Sequence, residues 1–396
     1  MSRRSSKLGA LVLAVACAAS LSGVAGADRP LVARGEVPPT QGVPPPTAIG
    51  KTEGSLDLLA APGFASPQWT TPFRRATGCR VSVTVAASSS AIERDMSEGG
   101  TRSYDLIAAQ NDAALSLIYA GAVRPVNLSL LPAWGQEAAA LQSPDFNTVV
   151  GYHYGITSAV GLDELVFYKA SFSHPPSSWL ALYAGAPHAD VGVPNEPLVI
   201  ADAAVYLSRV RPKLKITDPY ELTAAQFDAT VAALRTQHKL VRSYWTSQAA
   251  LASLLASRAV IVAQAPLAAA SRLLWANAKL GAAVPTEGTT AQAVSWMMDA
   301  QPRHPNCAYR WLRWVGSAKV QAQLAISLGQ MPASKQACRE MDRIRKGSCA
   351  ALLAAATPRE LSSLRFVEIP SRRCADGRAA CTPYAAWQRA WTRLRT

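Results

Sequence analysis

From Gly54 onward the pattern of apolar and polar positions switches regularly between the period of a strand and that of a helix. Residues 56–61 form a short apolar run, Pro62-Gly63-Phe64 a turn, and residues 68–77 a helix stopped by Gly78. Residues 80–85 alternate as a second strand, and Ser90 with Glu93 three positions later predicts a capping box opening a helix through Met96. Residues 104–109 are a buried strand, Gln110 to Asp112 a polar turn, and residues 113–119 a helix with Gly121 as its left-handed stop. Strand followed by helix three times within residues 55–121 predicts a parallel, doubly wound layer. In such sheets ligands bind beyond the carboxyl ends of the strands, which makes Gln110, Asn111 and Asp112 the first ligand candidates. Asp112 has a second reading as a helix cap.

The chain then crosses to a second region. Residues 149–156 and 164–168 read as two strands, and Pro175-Pro176, Ser177 and Trp179 begin a new helical section. Residues 191–207 return to an α/β pattern, Asp218 caps ahead of Pro219, and Thr223 opens a helix carrying Phe227, Val231 and Leu234 on one face. Residues 259–263 are an apolar strand ending at Gln264. After Pro285 a strand is predicted at 293–298 and a Trp-rich helix at 307–315. Ser317 caps a further helix, ended by Gly329. The tail from Met331 has a weaker pattern and reads as cover on the second region, with Trp387 and Trp391 spaced for packing into a core. No period of 20–50 residues recurs, so the chain is no solenoid.

With 396 residues, 49% of them hydrophobic, the chain is globular and long enough for one large or two ordinary domains. Arg3, Arg4 and Lys7 precede an apolar run over residues 8–19 that is too short for a membrane span and reads as an export signal. Ser5 and Ser6 stand where a twin-arginine signal has hydrophobic residues, which favours the general export route. Two cleavage readings stay open. Ala25-Gly26-Ala27 suits ordinary cleavage after residue 27, and Leu13-Ala14-Val15-Ala16-Cys17 resembles a lipoprotein box with signal 1–16 and lipid on Cys17. Residues 28–54 are a Pro-rich linker suited to tether a domain to a membrane. The expected location is the extracytoplasmic face of the membrane by a lipid anchor, or the periplasm or medium without one.

Of seven cysteines, six remain once Cys17 is set aside, an even number that in an exported chain predicts up to three disulfides, with Cys374–Cys381 the foremost candidate. No Cys or His spacing fits zinc, and neither a metal nor a cofactor is expected. The formal net charge of +14 becomes +11 without the three basic residues of the leader, which suits acidic surfaces. The basic residues are scattered without interleaved aromatics, which argues against nucleic acid.

Several stretches together are similar to one family. LDLLAAPGF at 56–64, FRRATGCRVSV at 73–83, YDLIAAQ at 104–110, VIADAAVYL at 199–207, DPYELTAAQFD at 218–228, the Pro285–Gly288 turn, CAYRWL at 307–312 and SLGQMPAS at 327–334 stand in family order. They resemble the solute-binding proteins of ABC importers, in the spermidine/putrescine branch of the type 2 periplasmic-binding-protein fold. The tail, with CADGRAACTPYAAWQRAW at 374–391, is similar to actinobacterial members only. The resemblance implies an α/β, two-lobed fold with a hinge between doubly wound lobes. Lobe one would be residues 55–157 plus 285–330, and lobe two residues 158–284 plus 331–396 with the tail as cover. It implies a monomer that captures a small polar solute and delivers it to the permease and ATPase subunits of a transporter.

Carried over position by position, the resemblance places Phe64, Ser88, Ser89, Gln110, Asn111, Asp112, Asn195, Glu196, Tyr244, Trp245 and Gln264 along the cleft. Glu196 and Asp112 would face ammonium groups, with Phe64, Tyr244 and Trp245 as aromatic walls. The competing readings are interlobe packing for Tyr244 and Trp245 and a solvated loop carboxylate for Glu196. Ala61, Ala265 and Gln292-Ala293-Val294 stand where the family usually has aromatic or acidic residues, so the ligand is left open. A degenerate binding protein acting as a sensor is one alternative. A secreted transferase using Cys79 is another, although the chain has no GxSxG, HExxH or P-loop motif. Of the five histidines, His153 lies nearest the expected crossover and reads as structural.

Overall fold

The computed structural model describes residues 37–86, 88–97, 103–183, 190–353, 356–374 and 380–395. Both leader cleavage sites and Cys17 lie outside the described residues. The first lobe starts with β1 (Ser55–Ala60), α1 (Pro67–Thr77), β2 (Arg80–Val85), α2 (Ser89–Ser97), β3 (Leu106–Gln110) and α3 (Asn111–Tyr119). Gly78 ends α1 in the left-handed conformation, as the sequence predicts, and its N–H reaches Arg74 O. Ser88, not Ser90, opens α2: its Oγ accepts the Ala91 N–H at 3.2 Å, which leaves Ser90 inside the helix. No turn separates β3 from α3. Gln110 is the last residue of the strand and Asn111 the first of the helix, so the three polar residues lie on the junction itself.

The strands expected at 149–156 and 164–168 are a small hairpin at 148–153 followed by one 14-residue strand, β4 (Gly155–Tyr168). Gly161 and the acidic pair Asp163-Glu164 look like a break in sequence, yet cross-strand pairing on both sides carries the backbone straight through.

The second lobe follows with β5 (Val191–Pro194), α4 (Val199–Val210), α5 (Ala224–His238), β6 (Val241–Trp245), α6 (Gln248–Ala256), β7 (Val262–Pro266), α7 (Leu267–Ala276) and β8 (Leu280–Ala283). Thr223 and Gln226 close a reciprocal capping box at the start of α5, with Phe227, Val231 and Leu234 buried on its inner face. The chain then returns through β9 (Thr289–Asp299) to α8 (Pro305–Val315) and α9 (Ala318–Leu328) of the first lobe. The tail adds α10 (Ala337–Ile344), β10 (Leu364–Phe366) and α11 (Tyr384–Arg395).

One continuous sheet runs through the molecule in the order β2-β1-β3-β9-β4-β7-β5-β6. β2, β1 and β3 are parallel, and β9 inserts antiparallel between β3 and β4. The far half of β4 pairs with β7 and β8, so a single strand belongs to both lobes. Apolar clusters pack on each sheet face: Leu56, Trp69, Phe73 and Trp311 in the first lobe, and Val193, Ile200, Leu234 and Trp387 in the second. A further cluster fills the crossover region, joining Leu141, Val160, Ala291 and Met331 to Met341 and Leu361 of the tail. Trp387 and Trp391 are buried in the second lobe, as their spacing suggests.

Three disulfides join Cys79 to Cys307, Cys338 to Cys349 and Cys374 to Cys381. The first pins the end of α1 to α8 across 228 residues of sequence and leaves Cys79 no thiol with which to attack a substrate.

Candidate functional site

The carboxyl ends of the first-lobe strands present a connected polar group that includes one carboxylate. Ser89 Oγ donates to Asp112 Oδ1 at 2.6 Å and lies 3.2 Å from Gln110 Oε1, which draws together three residues from α2, β3 and α3. Asn111 turns the other way. It is buried, its Oδ1 accepts the Ala293 N–H at 2.9 Å, and its Nδ2 donates to Val367 O of the tail. Ser88 is exposed at the start of α2. Phe64 is 4% exposed and packs within the first-lobe core, its carbonyl accepting the Trp69 indole N–H.

On the second lobe the residues predicted from sequence divide between core and edge. Trp245 is buried in the apolar cluster beneath α6 and α7. Tyr244 sets its hydroxyl 2.9 Å from His238 Nδ1 and its ring edge-on to Trp391, centroids 5.4 Å apart. Asn195 receives the Trp391 indole N–H on its Oδ1 at 3.2 Å and donates its own backbone N–H to Trp245 O. Glu196 follows in the turn that leads into α4, its carbonyl accepting the Val199 N–H. Gln264, on β7, is 1% exposed, and its amide bridges two carboxylates, donating from Nε2 to Asp163 Oδ2 and Asp202 Oδ2 at 2.8 Å each.

Those two acids were not among the residues singled out from sequence, nor was Glu164. Asp163 and Glu164 sit where β4 passes between the lobes, and Asp202 is on α4. Asp202 Oδ1 also accepts the Thr290 hydroxyl at 2.8 Å, which ties α4 to the start of β9, and the Thr289 hydroxyl donates to Asp163 O. Asp163, Asp202 and Glu196 thus gather where both crossovers meet the second lobe, while Glu164, the next residue along β4, faces the other side of the sheet. Among the described residues no lysine or arginine forms an ion pair with any of them.

Their electrostatics follow. Burial pushes Asp163 up to about 6, against the hydrogen bond from Gln264 that favours its charge. Burial, reinforced by the Asp163 charge, raises Glu164 to about 8 and Glu196 to about 7. Asp202 is held well above the ordinary carboxylate range by the same two causes. A signal for these acids does exist in sequence: each interrupts an otherwise apolar run, GLDELVFY at 161–168 and VIADAAVYL at 199–207.

A different donor set lies at the opposite, amino-terminal ends of β1 and β3, where Asp57, Asp105 and His304 approach one another. Asp105 already accepts hydrogen bonds from Asp57 N, His304 N and His304 Nδ1. That pattern fastens α8 to the sheet and accounts for the group without a metal.

The two lobes approach closely where Gly329 ends α9. A Cβ there would lie 2.9 Å from Ala268 Cα at the start of α7, and the residue adopts φ +69°, so glycine alone fits without strain. The lobes thus share two crossover strands, with the buried acids beside them.

Comparison with known proteins agrees with this architecture. The family model for bacterial extracellular solute-binding proteins matches residues 68–343. The spermidine/putrescine ABC-transporter substrate-binding protein of Streptococcus pneumoniae superposes with a TM-score of 0.69 at 14% identity, over 87% of this chain and 100% of that one. The Tp0655 lipoprotein of Treponema pallidum gives 0.64 at 12% identity, over 86% and 99%. The protein MotA of A. tumefaciens B6, solved with glucopine, gives 0.56 at 15% identity, over 86% and 100%. Structural identities this low establish the fold, and the match to the family model over most of the chain establishes kinship. Among the described residues no helix is long and apolar enough to cross a membrane. The chain belongs to the bacterial extracellular solute-binding protein family, whose members pass a small-molecule solute to the permease of an ABC transporter.

Proposed function

We propose that this exported protein captures a small cationic solute of the polyamine class between its lobes and that closure presents it to the permease. The observation behind this reading is the group of Asp163, Glu196 and Asp202, buried or half-buried and without a cationic partner among the described residues. Carboxylates so placed favour the protonated state or a positively charged guest, because an uncompensated buried charge is costly. An ammonium group supplies the missing charge. The first-lobe group of Ser89, Gln110 and Asp112 then lines the opposite wall with hydrogen-bonding atoms, and Asn195, Tyr244 and Gln264 complete the second-lobe side.

Capture of this kind needs no covalent step. Closure follows from differential affinity of the solute for the closed form. With Cys79 consumed in a disulfide, the transferase reading loses its nucleophile. We further propose a monomer held at the membrane by lipid on Cys17; the expected Pro-rich linker is not a free tether over its second half, where Thr40 donates to Val123 O, Asn127 to Pro46 O, and Glu53 accepts the Cys307 N–H. Mass spectrometry of the mature amino terminus separates this from cleavage after residue 27.

Calorimetric titration of the mature protein with putrescine and spermidine tests the solute reading. The expected result is binding accompanied by proton release, since a bound cation forces raised carboxylates to ionise. Binding of a neutral or anionic solute in preference to both polyamines overturns it.

A further inference from the structure

The chain beyond residue 363 reaches candidate ligand loops of both lobes. β10 pairs in parallel with the start of β9, Leu364 opposite Thr289 and Phe366 opposite Ala291. This places the tail on the crossover, where β9 leaves the hinge. The approach is tight. A Cβ at Gly288 would fall 2.5 Å from Ser363 O, and that residue adopts φ +103°.

Val367 extends the strand by one residue and touches three parts of the molecule. Its N–H donates to Ala291 O at 2.8 Å, its carbonyl accepts Asn111 Nδ2 from the first lobe, and its side chain packs in the second-lobe core with Trp387 and Trp391. Asn111 has both side-chain atoms engaged, one on Val367 and one on Ala293, so its orientation depends on the tail.

On the other lobe α11 makes the matching contact. The Trp391 indole N–H donates to Asn195 Oδ1, and its ring meets the edge of Tyr244. Near the start of the same helix, burial and the Glu196 charge both raise the Tyr384 hydroxyl, which puts that ring within electrostatic reach of the carboxylate.

We infer that residues 364–374 and 380–395 form a third wall of the solute site on its second-lobe side, with Trp391 as the positioning residue that orients Asn195. Val367 ties this wall to the crossover through Ala291 and Asn111. The inference rests on the reading that the solute binds between the lobes, and its test separates the two.

Trp391→Phe keeps an aromatic ring in the second-lobe core and removes the N–H that Asn195 accepts. The expected results are faster amide exchange at residues 195, 196 and 198, a threefold to tenfold loss of spermidine affinity of about the size of one neutral hydrogen bond, and an unfolding midpoint lowered only modestly by the smaller ring and the lost bond. Asn195→Ala breaks the same contact from the other side and leaves Trp391 in place. It should reproduce the faster exchange, and the double variant should add nothing to it. Wild-type exchange in both single variants overturns the inference, as does a Trp391→Phe protein that binds spermidine with unchanged affinity. If the unaltered protein binds neither spermidine nor putrescine, the solute reading falls alone, because exchange at residues 195, 196 and 198 still decides the role of the tail.

Discussion

The two lobes share a sheet and differ in how they treat polar groups. On the first, the residues at the strand ends are neutral or engaged with one another, as in the contact of Ser89 with Asp112 and the two bonds of Asn111. On the second, Asp163 and Asp202 share the Gln264 amide and Asp202 the Thr290 hydroxyl, and burial raises both together with Glu164 and Glu196. In the proposed site the first group forms a wall whose polar atoms are paired and the second a wall left electrostatically unfinished, which is where selectivity for a charged guest would belong.

The largest effect expected on this contrast comes from the support of the unfinished wall. Trp387 is fully buried in the second-lobe core, and Trp387→Ala should cost about 3–5 kcal/mol in denaturant unfolding. A second-lobe core that tolerates this change would mean that the tail is only loosely packed. Next comes charge: Glu196→Gln should weaken spermidine binding by about 2–5 kcal/mol if the carboxylate meets a desolvated ammonium, and calorimetry measures it. Equal losses from Glu196→Gln and from a first-lobe change would erase the difference between the walls.

pH sharpens the comparison. A carboxylate whose folded pKa is raised favours the protonated folded state, so its contribution to stability is complete below the unfolded value near 4 and is lost as pH rises through the folded value. With Asp163 at about 6, Glu196 at about 7 and Glu164 at about 8, solute-free stability should fall between pH 5 and 8. Glu164→Gln should flatten that decline in thermal melts. Cation affinity should run the opposite way and tighten over the same range. The smallest effect belongs to the first-lobe wall: Ser89→Ala, removing one hydroxyl contact with Asp112, should change affinity by only about 0.5–1.5 kcal/mol.

Much of the fold is legible in local chemistry. Gly78 and Gly329 stop their helices with left-handed backbone, and Thr223 with Gln226 opens α5, because each signal acts within a few residues. Where tertiary pairing decides, the sequence misleads. β4 looks like two strands because Gly161 and two acids interrupt its apolar run, and only β9 and β7 on its flanks hold it extended. The site divides in the same way. Gln110 to Asp112 are candidates from position in the α/β pattern and Asn195-Glu196 from the family resemblance, whereas the link of Gln264 to Asp163 and Asp202 joins residues 101 and 62 positions away. No local spacing reports such a contact. The tail is the extreme case, since Val367 and Trp391 owe their roles wholly to what they meet in three dimensions.

The insertion of β9 between β3 and β4 also sets when the molecule can fold. The first lobe begins at residue 55, yet a central strand of its sheet spans Thr289–Asp299 and the cysteine partner of Cys79 is Cys307. A chain emerging from the ribosome cannot finish its first lobe until the whole second lobe has been made. Until then β3 and β4 lack their shared neighbour, so the first-lobe sheet is the last part of the fold that the order of synthesis allows to close.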